Sequence, residues 1–500
     1  MTPHQAPSVS LPPTPILPSH RELYYGGAWR KPKAGRYGET FDPATARSLG
    51  PVAEGDAEDV DAAVAAAAAG FREWRRAPPL ERAATLRRIA AIVRDHAGEL
   101  AMLDSLDCGN PVREMTRDAL VAAAQLDFFA GLVTEMKGAS VPMGPDAVDF
   151  SVRQPLGVIA RILPFNHPLM FCAGKAGAPL AAGNSVIIKP PEQAPLSALR
   201  LAELIGDLLP AGVFNVLPGG RAVGAALAGH PGVAKVALIG SVPTGRAVMR
   251  AAADTIKPVT LELGGKNALI AYPDADPDEV ARAVIGGMNF TWCGQSCGST
   301  SRAFLHADIH DRVIDKIRGE IGRFKPGIPT DPTTTMGAII SRAQFDRVMD
   351  HIETAKHEGA RLLTGGGPPA DPALAGGLFI EPTVFADVTS AMRIAREEIF
   401  GPVLAVLVWR DEDKMLAEVN AVPYGLTCSI WTNDLSTAHR TALAVDVGYV
   451  WINDVSQHFL GAPFGGVKQS GIGREECLDE LLSFTQEKNI HIKLRQPAGA

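Results

Sequence analysis

The chain has 500 residues, of which 46% are hydrophobic and 21% are charged, and its formal net charge is −7. This length is too great for one simple core and predicts two or three domains. A mildly acidic chain without basic clusters argues against nucleic acid or an anionic membrane as partner, and no apolar run is long enough to cross a bilayer. The start lacks the pattern of a secretory signal, and the six cysteines show no disulfide or zinc spacing, so we expect a cytoplasmic protein without a metal site.

The N-terminal third is predicted to be a helical scaffold. Residues 1–20 are rich in proline and are expected to form a mobile segment. Tyr24–Trp29 is typical of a strand and a turn, and Asp56 is a candidate N-cap for a helix with a regular apolar face. Helical patterns continue through Leu80–Leu106 and Arg113–Met136.

From Phe150 the pattern changes to apolar strands that alternate with helical intervals. The predicted strands are Leu156–Leu163, Ser185–Pro190, Val213–Leu217 and Val233–Ile239. Strands that are apolar on both faces and separated by crossover helices predict a parallel sheet, which binds ligands at the carboxyl ends of its strands. These strands end at Asn166, Lys189, Gly219-Gly220 and Gly240-Ser241. The strand ends therefore predict a nucleotide site.

The stretch from Thr260 to Arg302 contains the two residues that best fit a shared chemistry. Glu262 lies beside glycines at a predicted strand end, and Cys297 lies in a loop between Gly294 and Gly298. A thiolate can attack a carbonyl carbon, and a nearby carboxylate can activate the water that releases the acyl group. A strand, a helix between 273 and 288 and a short loop join the two residues, so they can face one another.

A second alternating region follows Cys297. Its predicted strands are Ser301–His306, Leu362–Thr364, Pro382–Phe385, Val403–Val408 and Gly448–Asn453, with helices near 308–322 and 341–358 and a glycine-dense segment at Pro463–Lys468. The chain has no tandem repeat, so a solenoid is not favoured.

Several motifs, in this order along the chain, resemble the NAD(P)-dependent aldehyde dehydrogenase superfamily from about Tyr24 to Lys493. They are Pro164–Pro168, Lys189–Glu192, Gly240–Gly245, Glu262–Lys266, Gly294–Cys297, Glu398–Pro402 and Pro463–Gly466. The resemblance implies an α/β fold with three parts. A Rossmann-type cofactor domain would comprise 21–135 and 154–262, a catalytic domain 263–478, and an oligomerisation element 136–153 and 479–500. In that element a hairpin near Met136–Arg153 would pair with a strand near Asn489–Leu494, as expected for a homodimer or a homotetramer.

The resemblance also implies catalytic roles. Cys297 would form a thiohemiacetal and then a thioester, and Glu262 would activate water for hydrolysis. Asn166 would donate its amide to the developing oxyanion, alongside the backbone N–H of Cys297.

The same resemblance assigns the cofactor residues. Ser241 would lie near the pyrophosphate, Lys189 and Glu192 at the adenosine ribose, Glu398 at the nicotinamide ribose and Phe400 against the nicotinamide. A carboxylate at Glu192 would repel a 2′-phosphate, which favours NAD over NADP. The remaining expected cofactor-binding residues are Gly220, Gly224, Gly240, Gly245 and Leu263.

The substrate is an aldehyde that the sequence leaves open among quaternary-ammonium, aromatic and aliphatic classes. Phe165 replaces the tryptophan of the family motif, and Gly174 is expected to widen the substrate tunnel where relatives have a bulky aromatic residue. The candidate walls of the tunnel are Phe171, Phe290, Trp292, His458 and Phe459. Cys293 is a second thiol near Cys297, for which a filler role is favoured over an oxidation partner.

Two other functions remain as alternatives. Relatives that pass the thioester to coenzyme A lack a Glu at the position of Glu262, so its presence here speaks against that function. A non-catalytic binding protein would be expected to lose Cys297, Glu262 or Asn166, and all three are present.

Overall fold

The computed structural model describes residues 9–495, and its elements alternate between strands and helices after a helical N-terminal region. The strands are β1 Leu23–Tyr25, β2 Ala28–Arg30, β3 Tyr37–Phe41, β4 Ser48–Ala53, β5 Ser140–Val141, β6 Ala147–Pro155, β7 Val158–Ile162, β8 Ser185–Lys189, β9 Phe214–Val216, β10 Val233–Ile239, β11 Val259–Glu262, β12 Ala268–Ala271, β13 Arg302–His306, β14 Arg361–Thr364, β15 Thr383–Ala386, β16 Val403–Trp409, β17 Tyr424–Gly425, β18 Thr427–Trp431, β19 Tyr449–Ile452, β20 Val467–Lys468, β21 Gly471–Ile472 and β22 Thr485–Lys493. The α-helices are α1 Ala57–Trp74, α2 Pro79–Asp95, α3 Ala97–Cys108, α4 Val112–Gly131, α5 Lys175–Ala181, α6 Leu196–Ile205, α7 Arg221–Gly229, α8 Val242–Ala253, α9 Pro277–Gly287, α10 Ala307–Glu320, α11 Arg342–His357, α12 Arg393–Arg396, α13 Glu412–Asn420, α14 Leu435–Ala444 and α15 Leu478–Ser483. A π-helical turn at Met170–Gly174 precedes α5.

The first large sheet has eight strands in the order β2-β1-β9-β8-β7-β10-β11-β21. Its centre, from β9 to β11, is parallel, as the apolar runs predicted. All residues of β7 and β8 are buried, because helices cover both faces of the sheet. The carboxyl ends of β7, β8, β10 and β11 therefore lie at one edge of the sheet.

The second large sheet has seven strands in the order β14-β15-β16-β13-β12-β18-β19, and only β14 runs antiparallel to its neighbour. Its strands match the predicted ones except β18, which the sequence analysis did not identify. β12 connects directly to β11 of the first sheet through Leu263–Asn267. Glu262 therefore lies where the chain passes from one sheet to the other.

A small sheet of β22, β6 and β5 joins the end of the chain to the segment before β7. β22 pairs antiparallel with β6, with Asn489 opposite Ser151 and Ile490 opposite Phe150. This is the pairing expected between the hairpin and the C-terminal strand.

The helical scaffold begins as the sequence predicted. Asp56 caps α1, where its side chain accepts from the backbone N–H groups of Glu58 and Asp59. Of the predicted mobile segment, residues 1–8 lie outside the described residues, while Val9 and Leu11 pack against buried clusters. Within residues 9–495, no helix is long and apolar enough to span a bilayer.

Candidate active site

Glu262 is the last residue of β11, and its backbone is fixed from both sides. Its carbonyl accepts from the N–H of Gly240, and the next N–H, of Leu263, donates to the carbonyl of Ser470, each at 2.9 Å. The side chain is 4% exposed, and neither carboxylate oxygen has a hydrogen-bond partner among the described residues. Burial raises the pKa of Glu262 well above its usual value, and the charge of Glu475 adds to this shift. A carboxylate whose pKa is raised is a stronger base than an ordinary glutamate.

Cys297 lies in the tight loop that follows α9. Gly294 has a φ of +65°, and a Cβ there would lie 2.2 Å from the carbonyl oxygen of Gly401, so the loop requires glycine. Asn267 fixes the loop by donating its Nδ2 to the carbonyl of Cys297 at 2.7 Å. Of the six cysteines, all within the described residues, only Cys297 is not buried.

The thiol of Cys297 lies in the same electrostatic environment as two carboxylates. Desolvation raises its pKa to about 12, and the charges of Glu262 and Glu398 contribute, while the backbone N–H groups of Cys297 and Gly298 partly offset this. The structure therefore brings the predicted thiol and carboxylate together. The thiolate is disfavoured as long as both carboxylates are ionised nearby.

Asn166 lies in the turn 164–168 that follows β7. Its carbonyl accepts from Nδ2 of Asn110 at 2.8 Å, and its side chain is 3% exposed with Oδ1 unpartnered. Phe165 in the same turn packs edge-on against Phe400, with ring centres 5.7 Å apart. The turn is thus in contact with the loop that carries Glu398.

Glu398 is a half-buried carboxylate on the predicted nicotinamide side. Its Oε1 accepts from the N–H of Gly265 at 3.1 Å, and a Cβ on Gly264 would lie 1.8 Å from Oε2. Burial raises the pKa of Glu398 to about 7. Phe400, two residues on, has a φ of 56°, a strained backbone conformation of the kind that occurs at ligand sites.

Two residues that the sequence analysis missed hold this loop. Arg347 donates to the carbonyl of Glu398 at 2.6 Å, and Gln344 donates to the carbonyl of Phe400 at 2.8 Å. Both lie on α11 and face the loop together, at the helical spacing of three residues. That spacing was visible in the sequence, but the partner loop was not.

The predicted adenosine residues follow the next strand, β8. Lys189 is buried, donates to the carbonyl of Pro190 at 3.1 Å, and has a pKa lowered to about 8 by burial. Glu192 is exposed, and a Cβ on Gly220 would lie 2.7 Å from its Oε2. Glu192 and Gly220 line a cavity of about 540 Å³ that the β3–β4 hairpin and Arg342 enclose.

The predicted pyrophosphate residues lie at the start of α8. Ser241 is its N-cap, and its Oγ accepts from the N–H of Thr244 at 3.4 Å and lies 2.9 Å from the Thr244 hydroxyl. A Cβ on Gly245 would lie 2.6 Å from the side chain of Leu263. Gly240 lies beside the side chain of Leu238. A Cβ built on Gly224, in α7, would lie 4.0 Å from the side chain of Ile162.

The predicted tunnel walls fall into two groups. Phe171 and Trp292 both pack against His167, with ring centres 5.4 and 5.7 Å from it. His458 and Phe459 lie at the surface, and Phe459 is 58% exposed. These four side chains are the ones that the structure leaves available as walls.

Two of the substrate predictions need correction. Phe290 is 0% exposed and belongs to the core beneath the second sheet, where it contacts Phe324, so it does not line a tunnel. Gly174 leaves no extra space, because a Cβ there would lie 1.9 Å from Oε1 of Gln125. The carboxamide of Gln125 fills the volume that the glycine was expected to open.

A buried ionic network beside Glu262 was also missed. Arg161 is fully buried and bonds Glu475 at 2.7 Å and Glu480 at 2.6 Å, and Lys175 bonds Glu475 at 2.9 Å. Burial alone would raise the pKa of Glu475, but Lys175 and Arg161 lower it to about 2. The sequence signal was Lys175 in an otherwise apolar helix, because a buried lysine requires an acidic partner.

The network also extends towards the surface. Glu476 lies 3.8 Å from Lys175, and its other oxygen lies 3.1 Å from Nδ1 of His458, whose side chain is 42% exposed. Titratable groups thus continue from the surroundings of Glu262 to solvent.

The parallel sheet has a cleft at its strand ends, and a reachable thiol lies beside a buried carboxyl group. These features define an α/β enzyme with a cysteine next to a nucleotide cleft. The model of the aldehyde dehydrogenase family matches residues 29–490. The aldehyde dehydrogenase tropH of Talaromyces stipitatus is 52% identical over 486 residues, which cover 96% of this chain and 94% of that protein.

Solved structures agree with this match. The NAD⁺ complex of an aldehyde dehydrogenase from Bacillus cereus superposes with a TM-score of 0.92 at 37% identity, covering 95% of this chain and 97% of that chain. The same score, identity and coverage hold for a mutant of the indole-3-acetaldehyde dehydrogenase AldA from P. syringae, in complex with NAD⁺ and IAA. The chain belongs to the aldehyde dehydrogenase family, which confirms the resemblance found in the sequence.

The exposure and pKa of Cys297 predict the reactivity of the free protein. Because the other five cysteines are buried, iodoacetamide should modify Cys297 first, and the rate should still be rising at pH 10, since the pKa of this thiol is about 12. Peptide mass spectrometry after timed alkylation measures this, with Cys297→Ala as the control. A rate that reaches a plateau below pH 9 would contradict the electrostatic description.

Proposed function

We propose that the protein is an NAD-dependent aldehyde dehydrogenase that oxidises an aldehyde to a carboxylic acid through a thioester on Cys297. The observation that carries this proposal is the position of the one reachable thiol, which lies within the electrostatic influence of both Glu262 and Glu398. Family membership supports the reaction class, and the NAD⁺ complexes of two relatives support the cofactor.

The residues at the strand ends fit a bound dinucleotide. Gly220, Gly245 and Gly264 have no room for a Cβ, because the side chains of the expected cofactor residues Glu192, Leu263 and Glu398 pack directly against them. Ser241 and the start of α8 would hold the pyrophosphate, Lys189 and Glu192 the adenosine ribose, and Glu398 and Phe400 the nicotinamide riboside. When bound, NAD supplies the acceptor for the two electrons that leave the substrate.

The chain's own groups account for the acyl chemistry. Sγ of Cys297 attacks the carbonyl carbon, and the amide of Asn166 donates to the oxygen that becomes negative. That amide suits the task because Asn166 is buried and its Oδ1 has no partner that would compete for its orientation. After oxidation the acyl group remains on Cys297 as a thioester.

Hydrolysis of the thioester on Cys297 requires a base, and we assign this role to the carboxylate of Glu262. Its raised pKa makes its carboxylate a stronger base towards water than an ordinary glutamate. The charge of Lys175 opposes that rise, so the ionic network adjusts the proton affinity of the base.

The alternatives are less well supported. A coenzyme A-dependent enzyme has no need for a buried base at Glu262, and a non-catalytic protein has no need for a thiol kept reachable in a tight glycine loop. Glu192 at the adenosine end favours NAD over NADP, because its carboxylate would repel a 2′-phosphate.

We further propose that the chain forms a homo-oligomer through the sheet of β5, β6 and β22, and that the three-part domain division holds as the resemblance implies. Apolar side chains stay exposed on or beside this sheet at Val141, Met143, Val148, Ile492 and Leu494. All six cysteines are free thiols, which suits a cytoplasmic location.

The main test is oxidation of an aldehyde panel with NAD, followed by absorbance of the reduced cofactor, with and without coenzyme A. Wild type should turn over without coenzyme A, and Cys297→Ala should be inactive while still binding NAD. Glu262→Gln should give a burst of reduced cofactor followed by a slow steady state, because acylation proceeds and hydrolysis does not. A strict need for coenzyme A, or normal steady turnover of Glu262→Gln, would refute the hydrolytic mechanism.

Lys175→Met should move the acid limb of the plot of kcat against pH to higher pH. Lys175 lowers the pKa of Glu262, so its removal raises that pKa, and the ionised base is then lost at a higher pH. Lys316→Met is the matched control, because Lys316 pairs with Asp278 at the surface. An unchanged limb, or a shift to lower pH, would contradict the role of the network.

Glu192→Ser should reduce the preference for NAD over NADP, measured as the ratio of kcat/KM for the two cofactors. The change removes the charge that repels the 2′-phosphate and leaves the other ribose contacts in place. Glu39→Ser, on the other side of the same cavity, is the control. A ratio that stays at the wild-type value would contradict a role of Glu192 in the preference for NAD.

A further inference from the structure

The turn that carries Asn166 also carries a histidine that the catalytic mechanism does not use. Asn110 fixes the carbonyl of Asn166, and Asp104 accepts from the N–H of Leu169 at 3.0 Å, so the turn is held on both sides of His167. The imidazole therefore has a fixed position next to the group that binds the carbonyl oxygen.

Asp118 of α4 fixes the protonation pattern of this imidazole. Its Oδ2 lies 2.7 Å from Nδ1 of His167. A carboxylate only accepts, so Nδ1 carries the proton and Nε2 of the neutral ring is an acceptor. No described residue forms a hydrogen bond with Nε2, and the His167 side chain keeps 13% of its surface exposed.

Trp292 supplies the complementary group. Its ring centre lies 5.7 Å from that of His167, and its Nε1 is buried with no hydrogen-bond partner among the described residues. Phe171 packs edge-on against His167 from another side. An acceptor without a partner and a donor without a partner thus lie on neighbouring rings.

A hydroxyl group is the simplest group that could bond both Nε2 of His167 and Nε1 of Trp292, because it donates one hydrogen bond and accepts another. We propose that His167, oriented by Asp118, is a specificity-determining residue that accepts a hydrogen bond from a hydroxyl group on the aldehyde substrate, with Trp292 donating to the same oxygen. The proposal rests on the aldehyde oxidation proposed above and narrows its substrates to hydroxy-aldehydes. A carboxylate on the substrate would instead be repelled by the negative charge of Asp118, and it has no proton to donate to Nε2 of His167.

The test compares kcat/KM for benzaldehyde, 3-hydroxybenzaldehyde and 4-hydroxybenzaldehyde with the values for the two methoxy analogues, which keep the oxygen but cannot donate. For at least one ring position, wild type should prefer the hydroxyl over the methoxy compound by about tenfold or more, as expected for one hydrogen bond to a buried group. His167→Phe keeps a ring and removes the acceptor, so this ratio should fall to near one.

Two further variants separate specificity from folding. His167→Gln keeps an acceptor and should retain part of the preference, and Asp118→Asn should weaken it because the ring is no longer held in one tautomer. His20→Phe is the matched control, since His20 also pairs with a carboxylate, of Glu203 at 3.0 Å, and stacks on a tryptophan. The ratio in this variant should equal that of wild type.

The outcomes distinguish the two proposals. If wild type oxidises these aldehydes but shows the same hydroxyl-to-methoxy ratio as His167→Phe, the hydroxyl site is refuted and aldehyde oxidation stands. If wild type oxidises no aldehyde of any class while binding NAD, both proposals fall. Wild-type preference that His167→Phe abolishes and His167→Gln partly restores supports the site, because a merely structural histidine would change all substrates alike.

Discussion

The active site depends on the pairing of buried charges around Glu475. Arg161 and Lys175 both bond this carboxylate, and all three side chains have almost no contact with solvent. Ions in such a place are stable only when each has a partner, so the segment that carries Glu475 must lie against β7 and α5. The same segment provides β21, which pairs with β11 at Glu262. The ion pairs therefore fix the position of the backbone next to the proposed base.

The electrostatics of the site disfavour the thiolate of Cys297. Glu262 and Glu398 both have raised pKa values because they are buried, and their charges in turn disfavour the thiolate of Cys297. A dinucleotide that bonds Glu398 through its ribose would change the environment of that carboxylate directly. The unpartnered oxygens of Glu262 and Asn166 also indicate a ligand site. Buried polar atoms without partners are costly unless a ligand or water forms hydrogen bonds with them.

Much of the fold was predictable because its signals are local. β10 has the predicted bounds Val233–Ile239, and Asp56 caps α1, since apolar runs and capping residues act within a few positions of the chain. Glu262 and Cys297 stood out in the sequence because two glycines follow Glu262 closely and glycines lie on both sides of Cys297. Phe290 was misassigned because its burial depends on packing within the core of the second sheet and against the distant Phe324, which local sequence does not reveal. Gln125 and the partners of Arg161 were beyond sequence reasoning, because they depend on contacts between segments that are distant in the chain.

The sheet of β5, β6 and β22 has a consequence for how the protein is made. Ser151 in β6 bonds Glu487 in β22, and the two residues are 336 positions apart. Arg161 likewise bonds Glu475 across 314 positions. A ribosome makes the chain from its N-terminus, so Ser151 and Arg161 wait for these partners while more than 300 further residues are made. During that time, the edge of β6 that β22 covers is open to pairing with other nascent chains.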